Sequence, residues 1–295
     1  MNAKACIKSM RLRTLPLSEA GVVLGIFLSH GKCAIGVGGI VFLLLTTALL
    51  QILSNLSNEL GDTLSGTDAE GRQGIRYSLQ DGEMTIPQMK KFIAAVAATC
   101  CVSGLAMILL SFGFVLSVET IGLVLLGAAA IWAAMHYTLG DSPYGYRGLG
   151  DLFVFIFFGL VSVCGSFYVC THSFDPLVLI PACGIGLLSI GVLNVNNIRD
   201  MKTDAQTRTT VALKLGLRRA RIYQTVLIVL GWCCLFFYTA LRGRMAYLLL
   251  LIIPLFVKHL QGIWTREDRA LDPMLPLLVI STFITAILTG ILNSI

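Results

Sequence analysis

The sequence predicts an all-α polytopic membrane protein, and three observations lead there. Of its 295 residues, 56% are hydrophobic and only 13% are charged. The mean hydropathy is +0.82, far more apolar surface than a soluble domain of this length can bury. The apolar residues also gather into runs near the ~20 residues that one helical crossing of a bilayer requires, while the charged residues collect between the runs.

In chain order the runs fall at 15–29, 34–55, 92–112, 119–137, 152–170, 177–195, 220–241, 246–263 and 274–292. That makes about nine transmembrane helices by the length rule. The first run is short and contains Glu19. Basic residues set the orientation. Of the 22 Lys and Arg, only Lys32, Arg242 and Arg244 lie in loops after odd-numbered spans, and nearly all the rest lie on the other side. The positive-inside rule then places the N-terminus in the cytoplasm and the C-terminus outside. The basic excess is thus a topology signal rather than a sign of nucleic-acid binding. Lys4, Lys8, Arg11 and Arg13 before an apolar run resemble a signal peptide, but no small-residue cleavage site follows, so the segment is expected to be retained.

Outer loops are short (31–33, 113–118, 171–175 and 242–244). Inner loops are longer (58–88, 140–150 and 199–219) and hold nearly all the polar residues, which reads as a cap over a cytoplasm-facing cavity in one domain spanning 1–295. Most of the nine cysteines lie in or at the ends of spans, and no C-x-x-C occurs; they are expected to be small apolar packing residues. The four histidines show no ligand spacing.

Two acidic clusters sit where apolar runs meet inner loops. Asn58-x-x-x-Asp62 closes the second run, with Asp68 beyond it. Asn196-x-x-x-Asp200 closes the sixth, with Asp204 beyond it. Residues four apart stack on one face of a helix, and the recurrence four spans later is a faint internal repeat. Carboxylates at a bilayer edge are costly without a partner or a task. Oxygen ligands from two helix ends suit Mg²⁺, which binds carboxylates together with substrate phosphate oxygens. The arrangement therefore predicts a diphosphate site in a membrane. Asn58, Asp62 and Asp68 are candidates to hold one ion, and Asp200 with Asp204 another. As a diphosphate leaves, its negative charge grows, so catalysis consists of placing cations where that charge develops; Asp62, Asp200 and Asp204 are the candidate catalytic residues. Arg76, Lys91, Arg147, Arg199 and Arg208 are available to grip phosphate oxygens. The competing reading makes these bases interfacial or solvated charge, and the acids helix caps or ion-pair partners. Tyr144 and Tyr146, in the turn-rich loop 141–151, are candidates to contact an aromatic acceptor or an allylic cation, or else an interfacial aromatic belt.

The whole chain resembles the UbiA-type intramembrane prenyltransferases. The resemblance rests on residues 11–18 (RLRTLPLS), 50–58 (LQILSNLSN), 66–68 (GTD), 143–151 (PYGYRGLGD), 157–159 (FFG) and 196–200 (NNIRD). It is most similar to the branch acting on 1,4-dihydroxy-2-naphthoate in menaquinone biosynthesis. The resemblance implies a helical bundle around a central cavity open to lipid, in a bacterial inner membrane with the active site facing the cytoplasm. It also implies Mg²⁺ held on a polyprenyl diphosphate by Asn58, Asp62, Asp68, Asp200 and Asp204. The reaction implied is prenyl transfer to the naphthoate, with loss of diphosphate and CO₂, giving demethylmenaquinol. Three short stretches depart from the family pattern. Glu59-Leu60 stands where relatives have Asp-Tyr, Ala205 where they have Arg, and Thr207-Arg208 where they have Gly-Lys. The nearest rival is another acceptor, such as 4-hydroxybenzoate. A rival of a different class is a cation-coupled transporter, but transport sites lie near the midplane in broken helices, whereas these clusters lie at helix ends.

Overall fold

The computed structural model describes residues 2–66, 76–205 and 207–295. It is helical nearly throughout, with no β-strand among the described residues. The helices are α1 (Ala3–Met10), α2 (Leu15–Leu28), α3 (Val37–Leu64), α4 (Ile86–Phe112), α5 (Val118–His136), α6 (Gly150–Thr171), α7 (Pro176–Arg199), α8 (Met201–Asp204), α9 (Val211–Leu215), α10 (Leu217–Leu241), α11 (Ala246–Thr265) and α12 (Asp268–Ser294). Among the described residues eight of them, α3 to α7 and α10 to α12, are long and apolar enough to cross a membrane.

The first expected span differs from the other eight. It forms a helix of only 14 residues, about 21 Å long, because a 3₁₀ turn (Leu12–Thr14) precedes it and a turn through Gly31 at φ +76° ends the segment. Length alone therefore does not qualify it. The chain on either side of it nevertheless meets α3 at well-separated levels. Asn55 Nδ2 donates to Thr14 Oγ1 (2.9 Å) and to the Met10 carbonyl (2.9 Å), so the chain just before α2 is level with Asn55. The chain after α2 rejoins α3 at Val37, eighteen residues earlier and about 27 Å away along the axis.

The chain divides into two compact units, both discontinuous in sequence. One comprises Met1–Leu15, Ile35–Gly150 and Thr203–Thr209. Here α3 packs against α1, α4 and α5. Leu53, Leu56 and Leu60 of α3 pack with Met89, Ile93 and Val96 of α4 in one apolar cluster. A capping box starts α4: Thr85 N donates to Gln88 Oε1, and Gln88 N to Thr85 Oγ1. Lys8 ties α1 to the loop before α4 through Glu83 (3.2 Å) and Asp81.

The other unit comprises Pro16–Ala34, Asp151–Lys202 and Thr210–Ile295. Its centre is α7, packed by α6, α10 and α12. The approach of α7 to α10 is close because glycines face each other: a Cβ on Gly184 would lie 2.9 Å from the Gly231 carbonyl oxygen. Without a hydrophobic drive between helices in lipid, such small-residue contacts carry the association. A buried polar chain also crosses this unit. Asn194 Nδ2 donates to Gln224 Oε1 (2.9 Å), Gln224 Nε2 meets His259 Nε2 (3.1 Å), and His259 Nδ1 meets the Met274 carbonyl (3.1 Å). The two histidine contacts are consistent only if Nδ1 carries the imidazole proton.

Candidate active site

The first acidic cluster assembles at the C-terminal end of α3. Asn58 and Asp62 lie on successive turns of one face, on a helix held tightly at that point. A Cβ on Gly61 would lie 2.6 Å from the Thr138 carbonyl oxygen and side chain. Thr138 Oγ1 donates to the Ser57 carbonyl (2.9 Å) and to Asn58 Oδ1 (3.2 Å), so the turn after α5 sets the Asn58 amide. Asp62 is 3% exposed and accepts a hydrogen bond from Tyr146 Oη at 2.8 Å. Asp204, 1% exposed, belongs to the same unit. Arg208 joins the two acids, with Nη2 2.7 Å from Asp204 Oδ1 and Nη1 3.7 Å from Asp62 Oδ1. The guanidinium carbon also lies 5.7 Å from the centre of the Tyr146 ring.

Backbone pairing places these side chains. Thr209 N donates to the Tyr146 carbonyl (2.9 Å), and Arg147 and Thr209 form an isolated parallel bridge. The loop containing Pro143 to Gly150 is thereby stitched to the backbone at Thr209. Burial disfavours the Arg208 charge, but the carboxylates of Asp62 and Asp204 more than offset this and hold its pKa above the ordinary value. Arg208 is a firmly charged cation between two buried acids.

The second cluster lies at the end of α7 in the other unit. Arg199, 4% exposed, faces Asp200, 1% exposed. Nε donates to Asp200 Oδ1 (2.8 Å) and Nη2 to Asp200 Oδ2 (2.6 Å), a bidentate fork. Its Nη2 also donates to Asn196 Oδ1 (2.7 Å), and Nη1 to Asp272 Oδ1 (2.9 Å). Elsewhere in this unit, Asp151 accepts from Tyr223 Oη (2.9 Å).

The expected site residues thus separate into groups. Asn58, Asp62, Tyr146, Asp204 and Arg208 come together, and Asp200 with Arg199 forms a second group. Asp68 lies outside the described residues. Arg199 uses its donors on carboxylates and an amide rather than presenting them to phosphate. Arg76 turns to its own loop, with Nε 2.8 Å from Asp81 Oδ1 and Nη2 2.9 Å from the Gln80 carbonyl. Arg147 is exposed, its Nη1 3.4 Å from Ser142 Oγ, and Lys91 is exposed near the start of α4. Tyr144 donates its hydroxyl to the Ala133 carbonyl (2.7 Å) and packs edge-on against Tyr137; burial pushes its phenol pKa up. Tyr146 is a partner of Asp62 before it is anything else.

Sequence reasoning missed three residues. Thr138 and Asp272 act through tertiary contacts that no spacing reveals. Glu59, noted in the sequence only as a departure from the family pattern, is fully buried and accepts the Leu79 backbone N–H at 2.8 Å; it anchors the turn at Leu79.

The donor chemistry fits a hard divalent cation. Asp62 and Asp204 bring two buried carboxylates to one guanidinium, and Asn58 adds an amide oxygen one turn away. Among the described residues no three His, Cys, Asp or Glu side chains group closely enough to form a metal cage. The acids are drawn together by Arg208 instead.

Comparisons with known proteins place this chain among relatives. It is 36% identical over 289 residues to the Escherichia coli (strain K12) protein named 1,4-dihydroxy-2-naphthoate octaprenyltransferase, covering 97% of this chain and 93% of that one. A Haemophilus influenzae protein of the same name is 37% identical over 91% of this chain and 88% of its own length. Among solved structures, an Aeropyrum pernix UbiA homologue superposes with a TM-score of 0.67 at 15% identity, covering 99% of this chain and 98% of that one. An Archaeoglobus fulgidus UbiA homologue bound to DMAPP and Mg²⁺ superposes with a TM-score of 0.62 at 14% identity, covering 96% and 99%. At such identities the two structures speak for the fold. Residues 20–287 match the UbiA prenyltransferase family, and the chain belongs to it.

Proposed function

We propose that this multi-span membrane protein transfers a polyprenyl chain from polyprenyl diphosphate to 1,4-dihydroxy-2-naphthoate, releasing diphosphate and CO₂ and giving demethylmenaquinol. The observation that carries the acceptor assignment is the match, over nearly the full length of both chains, to the Escherichia coli protein bearing that activity in its name. The chemistry is supported by Asp62 and Asp204, two buried carboxylates gathered on one cation at a helix end.

Asn58, Asp62 and Asp204, with Asp68 by its place in the motif, would hold Mg²⁺ through oxygen in the first unit, and Asp200 is the candidate ligand in the second. Bound there, the ion supplies positive charge to the diphosphate oxygens as the carbon–oxygen bond breaks. Tyr146 fixes the orientation of the Asp62 carboxylate, and Thr138 that of the Asn58 amide, before substrate arrives. Arg208 is the cation best placed to follow the leaving diphosphate, and Arg147 is a second, exposed candidate on the adjoining loop. The bonding electron pair leaves with diphosphate, and the electron-rich naphthoate ring attacks the allylic carbon. The carboxyl group departs as CO₂, and its electrons restore the aromatic ring. Tyr144, whose hydroxyl donates to the Ala133 carbonyl and whose ring stacks on Trp132, and Tyr146, beside Asp62, are the acceptor contacts in this reading.

The reading also includes nine passes, a cytoplasmic N-terminus and a cytoplasm-facing site in a bacterial inner membrane. It is supported by the basic-residue asymmetry and by the depth that the chain covers between Thr14 and Val37. The deciding assay offers purified protein with Mg²⁺ and labelled polyprenyl diphosphate a choice between dihydroxynaphthoate and 4-hydroxybenzoate. Prenylated naphthoate is expected. Prenylated benzoate alone would keep prenyl transfer and overturn the acceptor, and no product with either would overturn both.

A further inference from the structure

The residues that join α11 to α12, together with the first turns of α12, make three ionic contacts with the elements around the second acidic motif. Glu267 pairs with Arg221 of α10 (3.4 Å), whose Nη2 also donates to the Arg266 carbonyl (2.9 Å). Asp268 pairs with Lys202 of α8 (2.6 Å). Asp272 pairs with Arg199 at the end of α7 (2.9 Å). The first two are exposed on at least one side, with Glu267 61% and Lys202 70% exposed, and exposed pairs contribute little energy. The third differs because its arginine is buried and already forks both oxygens of Asp200.

We propose that Asp272 is a positioning residue: by sharing Arg199 it both orients the Asp200 carboxylate and leaves it enough negative charge to bind a divalent cation. Two carboxylates on one guanidinium give the group of Asp200, Arg199 and Asp272 one net negative charge. Without Asp272 the Arg199–Asp200 pair is neutral, and an incoming dication meets a fully compensated carboxylate. A carboxylate oxygen accepts from more than one partner, so orientation by Arg199 and ligation of an ion are compatible. The arrangement resembles outer-shell partners that set the geometry and charge of a metal ligand. It also accounts for Arg199, which a phosphate-gripping role does not. The proposal rests on the Mg²⁺–diphosphate reading of the site.

The test measures Mn²⁺ binding by electron paramagnetic resonance to the full chain in nanodiscs with inorganic pyrophosphate, so that turnover is not the readout. For a dication about 10 Å from the lost unit charge, in a partly solvated setting, the loss is on the order of tenfold in affinity. Asp272→Asn keeps an oxygen acceptor for Arg199 and removes only the charge, and it is expected to raise the half-saturating Mn²⁺ concentration by about that factor. Asp272→Glu is expected to restore affinity, and Glu267→Gln, just before α12, to leave it as in the wild type. Should the asparagine variant not fold, Asp272→Ser is read in the same way. Wild-type Mn²⁺ affinity in the neutral variant, or equal weakening in Glu267→Gln, would overturn the proposal. Wild-type protein that binds no Mn²⁺ with pyrophosphate would overturn the metal–diphosphate reading itself, and the positioning role with it.

Discussion

Replacing Arg208 by Gln tests whether its guanidinium stands in for a metal ion when substrate is absent. Its nitrogens lie 2.7 Å from Asp204 and 3.7 Å from Asp62, both acids almost completely buried. A unit pair near 4 Å at an effective dielectric of 20 interacts by about 4 kcal/mol. A divalent ion entering between these acids must displace that interaction, in full or in part. Taking about 2.7 kcal/mol as the part not recovered by solvent and by Arg208 itself, removing the charge should tighten Mn²⁺ binding to the substrate-free protein by about 100-fold. Pyrophosphate affinity at saturating Mn²⁺ should move the other way, weakening by about tenfold, because a charge-assisted contact to phosphate is lost. Both constants can be read from one Mn²⁺ resonance titration with and without pyrophosphate, and Arg208→Lys should retain most of the wild-type behaviour. The opposite signs are the diagnostic. If Arg208→Gln leaves Mn²⁺ affinity of the substrate-free protein unchanged or weaker, Arg208 is not a resident counter-cation and the reasoning fails.

Further outcomes follow from the same geometry. Asp62→Ala, Asp200→Ala and Asp204→Ala should each lower turnover by roughly three orders of magnitude, equivalent to about 4 kcal/mol of barrier, while the protein still inserts; near-wild-type turnover in any of them, or full activity in EDTA, would contradict this. Tyr146→Phe removes a hydrogen bond to an ionised acid worth about 1.5–3 kcal/mol, and should raise the Mg²⁺ requirement of turnover far more than it lowers the rate at saturating Mg²⁺. Gly61→Ala places a methyl against the Thr138 backbone and should cost about 1–3 kcal/mol as overpacking, seen as a lower melting temperature together with weaker Mn²⁺ binding, since Asn58 and Asp62 sit on the same turns. Reporters fused after Gln80 and after Thr210 should read as cytoplasmic and one at Ile295 as external; a cytoplasmic C-terminus would mean that α2 does not cross.

Composition and the length of the apolar runs were sufficient for the class of this protein, because helices in lipid must satisfy their own backbone and therefore appear as long apolar runs. Eight of the nine expected spans are helices of crossing length. The ninth, α2, is the one whose run was short and carried Glu19, and its shortness follows from the turns on either side. The acidic motifs were legible for a similar reason: a four-residue spacing fixes which side chains share a helix face, so Asn58 and Asp62 fall together with no knowledge of the rest of the molecule. Partnership was not legible, because it depends on segments far apart in the chain. Tyr146 looked like an acceptor contact in a turn-rich loop, and only the pairing of Thr209 with Tyr146 shows that it holds Asp62 and lies under Arg208. Arg199 and Arg208 are both basic residues beside an aspartate motif, and sequence treats them alike. The fold gives one to Asp200 and Asp272 and sets the other between Asp62 and Asp204. Charge count and spacing are local properties of a chain, whereas the partner that neutralises a buried charge is chosen by which backbones the fold brings within about 3 Å of each other.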